Sequence, residues 1–438
     1  MFTLHPITRL IFSAMFFAFI LTVQDAEAEI SQEQRTETYK QLEIFSNVLS
    51  ILQENYVEEI DTKEVLNGAI RGLLFSLDPH SSYLPPEGFK ELQEETQGSF
   101  SGIGIEVTIK EDLLTIVSPI ADTPADRAGL KANDIIIEID GEKTKNMGPY
   151  EAIKKLRGPA GTKVKISIQR DDWDELKEMT LEREVIPIQS VKADFLSPGI
   201  VYTRITNFQS HTSNDYRMKF QQLKKEHRID GLILDLRNNP GGLLHQAVEI
   251  ADIFLNKGTI VYTMGRREDQ NTVFSAHDNG ESQHFPLVVL INEGSASAAE
   301  IVAGAIQAHK RGIIVGTRSF GKGSVQTIIP LPDGAGLRMT TAKYYTPDDR
   351  SIQALGIVPD VEVPYVPCAP PEKTTTERKL VKEADLVNHL PGSENEDESE
   401  NIAAKKLEER LQIDNQLRSA YNIVKSLNLF SRYNNNNG

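Results

Sequence analysis

The chain has 438 residues and a formal net charge of −16, with ordinary hydrophobic (39%) and charged (25%) fractions. That length accommodates two or three domains, and the acidic balance argues against a nucleic-acid binder, which needs a basic face to displace counterions from phosphates. The single cysteine, Cys368, excludes an internal disulfide and a cysteine-based metal site.

Arg9 precedes LIFSAMFFAFILTV, an apolar run of 14 residues from Leu10 to Val23. A bilayer-spanning helix needs about 20 residues, and small residues follow at Ala26 and Ala28. Residues 1–28 therefore read as a secretory signal cleaved after Ala28. Export of this kind places the protein in the periplasm; an uncleaved run would tether it to the inner membrane.

Residues 29–97 read as a helical region. Leu42, Phe45, Val48, Leu49 and Leu52 recur at helical spacing, a stripe expected to be core, with a cap or dimerising arm as the alternative. TKEVLNGAIRGLLFSL gives a second amphipathic helix, and Pro79, Pro85 and Pro86 end the pattern. From 98 to 185 the chain turns to strands: SGIGIEVTI, LLTIVSPI, DIIIEID and KVKISIQR, with a short helix in PYEAIKKLRG. From 186 to 367 the pattern changes again. GLILDL and FPLVVLI are continuous apolar runs, as expected of strands covered on both faces, and GIIVG is a third. LLHQAVEIADIFL and AAEIVAGAIQAHK fall between them as helices, which predicts an α/β layer. Residues 368–402 have linker composition, with five acids and no base over 391–400. Residues 403–438 return as one amphipathic helix and a disordered tail, NNNNG.

The usual hydrolase signatures are missing: there is no G-x-S-x-G elbow and no H-E-x-x-H. The nine histidines are scattered, none at a metal-like spacing. GTRSFGKGSVQ, from Gly316 to Gln326, begins like a phosphate-binding loop, but Gly323 stands where a hydroxyl should hold Mg²⁺, and a strand rather than a helix follows.

Three loops leave neighbouring strands of the α/β layer. LDLRNNPGGLL carries Gly241 and Gly242, whose backbone can approach a ligand closely. INEGSASAAEIV carries Ser295 and Ser297 just before a helix, where free N–H groups favour a developing oxyanion; the same position also suits a capping serine. The third loop carries Lys322, with Gln326 four residues on, in position to orient its amine. Ligands of open α/β sheets bind at the strands' carboxyl ends, and a serine with a lysine base is a known nucleophile–base pair. A free lysine has a pKa of about 10.4, so deprotonation at pH 7 costs roughly 4–5 kcal/mol. Burial can lower that pKa by up to about 3–5.

At these residues the sequence resembles the carboxyl-terminal processing, or tail-specific, proteases of the S41 family. The likeness covers about residues 40–365 and most of the C-terminal helix, and rests on LILDLRNNPGG, LVVLINEGSASAAEIVAGAIQAHKR, IVGTRSFGKGSVQT and TTAKYYTPDDRSIQALGIVPD in that order. It implies that Ser297, not Ser295, is the nucleophile, that Lys322 is the general base, and that Gln326 positions the lysine. It also implies an oxyanion hole built from the N–H of Ala298 and of Gly241 or Gly242. Ala299 stands where the family commonly has a third serine. Residues 98–185 resemble a PDZ domain. There, DRAGLKANDIIIEIDGEK matches its Gly-Leu to Asp-Gly stretch, and SGIGIEV its carboxylate-binding loop. Consecutive N–H groups at Gly102, Ile103, Gly104 and Ile105 would hold a terminal carboxylate while the peptide adds as a strand. Ile103 and Ile105 depart from the commoner Gly-Leu-Gly-Phe form.

The expected fold is α/β and multidomain: a helical N-terminal region, a β-rich PDZ domain with short helices, and a ClpP/crotonase-like α/β protease core. The expected activity is that of an exported serine endopeptidase with a Ser–Lys dyad; the alternative is a catalytically silent PDZ adaptor on a protease scaffold. No metal or organic cofactor is implied. Expected partners are protein substrates held by their C-terminal tails, an adaptor or regulatory protein, and further copies of the chain through the terminal helices.

Overall fold

The computed structural model describes residues 31–110, 113–145, 147–170, 172–173, 175–278, 280, 284–366 and 398–436. The expected signal, Cys368 and most of the acidic linker lie outside these residues. Two compact units divide between Leu73 and Leu74.

The first unit carries the helix Gln32–Asn55. Ser31 caps it reciprocally: its hydroxyl accepts the Gln34 N–H, and the Gln34 side chain accepts the Ser31 N–H, both at 3.2 Å. The helix Thr62–Phe75 starts after Asp61, whose carboxylate accepts the Lys63 N–H at 2.8 Å. The expectation that the first stripe is core fails here. Leu42, Phe45 and Val48 are 55%, 44% and 49% exposed, and the helix Gln32–Asn55 has no buried residue. Two helices alone cannot enclose an apolar stripe.

The second unit opens its PDZ-like part with an antiparallel sheet. Its strands run in the order Ile105–Lys110, Leu113–Pro119, Ile135–Ile139, Lys163–Gln169, Lys177–Glu182, with Glu142–Lys143 pairing to Ile135–Ile139. Inward-facing Leu114, Ile116, Ile136, Ile166 and Ile168 form its core. A separate ladder pairs Ser99–Gly102 with Glu184–Pro187, so both ends of this part leave side by side.

The α/β layer is a six-stranded sheet in the order Val191–Ser197, Ile200–Ile205, Gly231–Asp235, Leu287–Ile291, Ile313–Gly316, Val361–Glu362. The first pair is antiparallel and the others parallel. The apolar strand runs are explained by coverage of both faces. Leu232, Leu234, Leu287, Val289 and Ile291 pack with Tyr216, Phe254, Ile301 and Val302 from helices Thr212–Glu226, Leu244–Phe254 and Ala298–Ala308. Ile233, Val288 and Leu290 point to the other face and meet Leu417, Ala420 and Val424. That second cover is the C-terminal helix, folded back across the sheet.

A second sheet adjoins the layer. Gly336–Tyr345 pairs with Ser82–Leu84 and Gly258–Gly265 on one edge and with Ser324–Pro330 on the other. Thr272–Ala276 completes it beyond Gly258–Gly265.

The C-terminal region departs from expectation in three ways. The helix Glu398–Ile413 begins inside the expected linker. A second helix, Asn415–Asn436, follows instead of one continuous helix, because Asp414 interrupts the run and caps the next one: its carboxylate accepts the Leu417 N–H at 2.9 Å. The helix also continues to Asn436, through residues expected to be disordered, since each residue added to a formed helix needs no new nucleus.

Candidate active site

Six of the predicted residues, Ser297, Ala298, Lys322, Gln326, Gly241 and Gly242, meet along one cleft of about 540 Å³. Parallel strand order brings them together: Gly231–Asp235 and Leu287–Ile291 are neighbours, so the loops at their carboxyl ends emerge side by side. Asn239 ties those loops. Its carbonyl accepts the Ala296 N–H at 2.9 Å, and its side-chain oxygen accepts the Gly241 N–H at 2.9 Å.

The two serines separate. Ser295 is fully buried; its hydroxyl donates to the Leu236 carbonyl at 2.8 Å and accepts the Asn292 N–H at 3.0 Å. Ser297 occupies the N-cap position of Ala298–Ala308 with φ 55° and ψ −115°. A non-glycine residue held there stores strain on the order of 1–3 kcal/mol, a feature that clusters at functional sites. Ser297 does not use its hydroxyl as a cap: the Glu300 N–H bonds instead to the Ser297 carbonyl at 2.9 Å. The hydroxyl meets that of Tyr344, which is 2% exposed and donates to the Lys322 carbonyl. Burial holds the Tyr344 phenol well above its ordinary range, so it stays protonated.

Lys322 is part-buried, and its amine reaches Gln326 Oε1 at 3.5 Å. Desolvation, and after it the charge of Arg338 across the cleft, hold its pKa below the ordinary lysine value. His80 is pushed below the usual imidazole range by burial and then by Lys322. Arg338 thus disfavours a proton on Lys322, and both of these cations disfavour one on His80.

The backbone donors also separate. The Gly241 N–H is committed to Asn239. Among the described residues, those of Gly242 and Ala298 have no hydrogen-bond partner. Gly242 must be glycine: its φ is 139°, and a Cβ would lie 2.1 Å from the Phe208 oxygen.

Glu300 organises the site, and the reading of the sequence passed over it. Fully buried, its carboxylate accepts the N–H groups of Ser297 (2.8 Å), Gly321 (2.7 Å) and Lys322 (2.9 Å) and the Ser319 hydroxyl (2.5 Å). Burial raises its pKa, and these four bonds counter part of the rise. The signal was present as Ser-x-x-Glu, the spacing of a reciprocal helix cap.

Of the predicted peptide-binding residues, Gly102 ends a strand, Ile103 is buried, and Ile105 begins the strand Ile105–Lys110. Among the described residues the N–H groups of Ile103 and Gly104 have no hydrogen-bond partner. Ile105–Lys110 is the terminal strand of its sheet, leaving one edge free, and the helix Pro149–Leu156 packs against it.

Residues 199–363 match the family described as Peptidase family S41, residues 115–170 a PDZ domain, and residues 11–88 the activating protease CtpB N-terminal domain. A carboxy-terminal-processing protease of Bartonella bacilliformis is 42% identical over 90% of this chain and 90% of its own length. A carboxyl-terminal-processing protease of a Synechocystis species is 41% identical over 72% of this chain and 76% of its own. Among solved structures, a photosystem II D1 C-terminal processing protease is similar at 32% identity, covering 73% of this chain and 86% of that one, with a TM-score of 0.44.

Proposed function

This chain belongs to peptidase family S41, the carboxy-terminal-processing serine proteases, and we propose that Ser297 is its nucleophile and Lys322 its general base. The observation that carries this reading is that the Ser297 hydroxyl, free of any capping bond, shares one cleft with a lysine whose neighbours disfavour its charged form.

The reaction runs as an acyl transfer. Ser297 Oγ attacks the peptide carbonyl carbon while its proton passes to the neutral Lys322 amine. The carbonyl oxygen becomes an oxyanion and takes up the free N–H groups of Gly242 and Ala298. Collapse breaks the C–N bond, and the departing amine takes the proton from Lys322. Water then gives a proton to Lys322, attacks the acyl-enzyme, and releases the new C-terminus as Ser297 recovers its hydrogen. Gln326, accepting from the amine, aims it without supplying a charge that would keep it protonated. The Ser297 hydroxyl bonds to that of Tyr344, and attack requires it to leave that bond.

The PDZ domain, residues 98–185 in this reading, supplies the tail-binding site. The free N–H groups of Ile103 and Gly104 receive a terminal carboxylate, and the free edge of Ile105–Lys110 receives the peptide as an added strand. The protease core spans 186–367. The apolar run Leu10–Val23 serves as the export signal.

The test is cleavage of fluorescently labelled β-casein together with labelling by a fluorophosphonate probe. Ser297→Ala and Lys322→Ala should each lower cleavage by roughly 10⁴-fold or more while the protein stays folded by circular dichroism, and Ser297→Ala should abolish labelling. Cleavage at the parent rate by either purified variant would refute the assignment.

A further inference from the structure

Five buried side-chain polar atoms have no hydrogen-bond partner among the described residues. Three of them, Gln209 Nε2, Ser324 Oγ and Gln326 Nε2, belong to residues that line the catalytic cleft. Folded proteins leave few such groups, and each calls for an explanation. Gln326 already engages Lys322 through its other amide atom. Gln209 and Ser324 have no such account.

Both are more than nine-tenths buried, at 3% and 8% exposure. Both are also tied closely to the machinery. Gln209 follows Phe208, whose N–H bonds to the Gly241 carbonyl and whose carbonyl accepts the Leu243 N–H, each at 2.8 Å. The Gln209 backbone is fixed in turn by the Thr212 hydroxyl at 2.9 Å. Ser324 stands two residues after Lys322 and opens a strand, Ser324–Pro330, that among the described residues has a hydrogen-bonded neighbour on one edge. One orphan group therefore comes from beside the glycine loop and the other from beside the base.

We propose that Gln209 and Ser324 are specificity-determining residues that clamp the main chain of an extended substrate segment across the cleft, Gln209 Nε2 donating to a peptide carbonyl and the Ser324 hydroxyl pairing with a peptide amide. The proposal rests on the serine-protease reading of this cleft. An extended chain offers alternating donors and acceptors along its whole length, which matches one donor on each side of the cleft. Every residue type carries the same main-chain groups, so the clamp selects by conformation: a segment whose amides are already paired in helix or sheet cannot engage it.

The experiment uses the full chain with Gln209→Leu and, as a smaller change, Ser324→Ala. It compares kcat/KM on labelled β-casein with the rate of fluorophosphonate labelling at Ser297, a probe with no peptide chain for the clamp to hold. Each variant should lose about tenfold in kcat/KM, the factor expected for one hydrogen bond, mainly through KM, with labelling and melting temperature close to the parent's. Unchanged casein cleavage in both variants overturns the clamp. So does labelling that falls in step with cleavage, which would mark a structural role. A parent enzyme that is not labelled at all would instead sink the assignment of Ser297, and the clamp with it.

Discussion

Glu300 accepts the backbone N–H of Lys322 at 2.9 Å, from 22 residues away in the chain. The same carboxylate accepts the Ser297 N–H at 2.8 Å, so one buried side chain sets the spacing of the Ser297 and Lys322 backbones. Glu300→Gln replaces one acceptor oxygen with a donor that faces other donors. We expect a stability loss of about 1–3 kcal/mol and a fall in kcat/KM of around 10²-fold, since small misplacement of reacting groups carries that cost. Thermal melting and probe labelling check the two separately; full activity in a folded variant would mean that the loops hold their register without this carboxylate.

Lys322 gives the pH dependence its sign. Its folded pKa lies below the ordinary 10.5, through burial and then Arg338, so kcat/KM should rise with pH with a midpoint under that value. Arg338→Met removes the neighbouring charge and should move the midpoint upward. For stability, the unfolded chain binds more protons between the two pKa values, so stability rises with pH in that window and the penalty is complete below it. Lys322→Met should therefore be inactive yet melt at a higher temperature than the parent at neutral pH, as differential scanning calorimetry would read.

Gly241 leaves no room for a side chain beside Ser297. Its φ is 104°, and a Cβ would lie 2.7 Å from that of Ser297. Gly241→Ala should cost around 10²-fold in acylation rate and lower the melting temperature. Stopped-flow labelling at Ser297 measures the first quantity; a rate equal to the parent's would show that the loop yields without moving the serine.

Arg237 clamps the C-terminal helices. It contacts Asp235, which is fully buried, and Asp414, the latter at 2.7 and 3.0 Å. Arg237→Met strands the Asp235 charge and should cost about 3–5 kcal/mol, seen as faster hydrogen exchange over 415–436. Burial raises the Asp414 pKa, but its bonds with Arg237 and the Leu417 N–H outweigh that and leave it below 3.8. A carboxylate depressed in the fold contributes stability above its unfolded pKa and loses it as pH falls through the folded value. Asp414→Asn should flatten this acid limb of the stability curve below about pH 3.8.

Much of the chemistry was legible along the chain because its residues lie in short local patterns. An apolar run, a loop of small residues and a helix put Ser297 at a helix mouth; two glycines after GLILDL marked a close backbone approach; and Gln326 fell within reach of Lys322. The helical stripe of Leu42, Phe45 and Val48 was legible too, but not its exposure, since spacing reports which residues share a face and not whether anything covers it.

Sequence by itself determined which segments become strands and helices of the α/β layer, and which loops carry a hydroxyl, an amine and unhindered N–H groups, because propensity, period and turn chemistry act over a few residues. Only the tertiary structure decided between Gly241 and Gly242 as the free donor, and it supplied the physical reason that Ser295, bonded to Leu236 and Asn292, is withdrawn from the cleft while Ser297 is not. It alone brought Glu300, Tyr344 and Asn239 to their partners. Those choices depend on hydrogen bonds between residues 2 to 59 positions apart, and a buried group's partner is set by which strands lie side by side rather than by what precedes it in the chain.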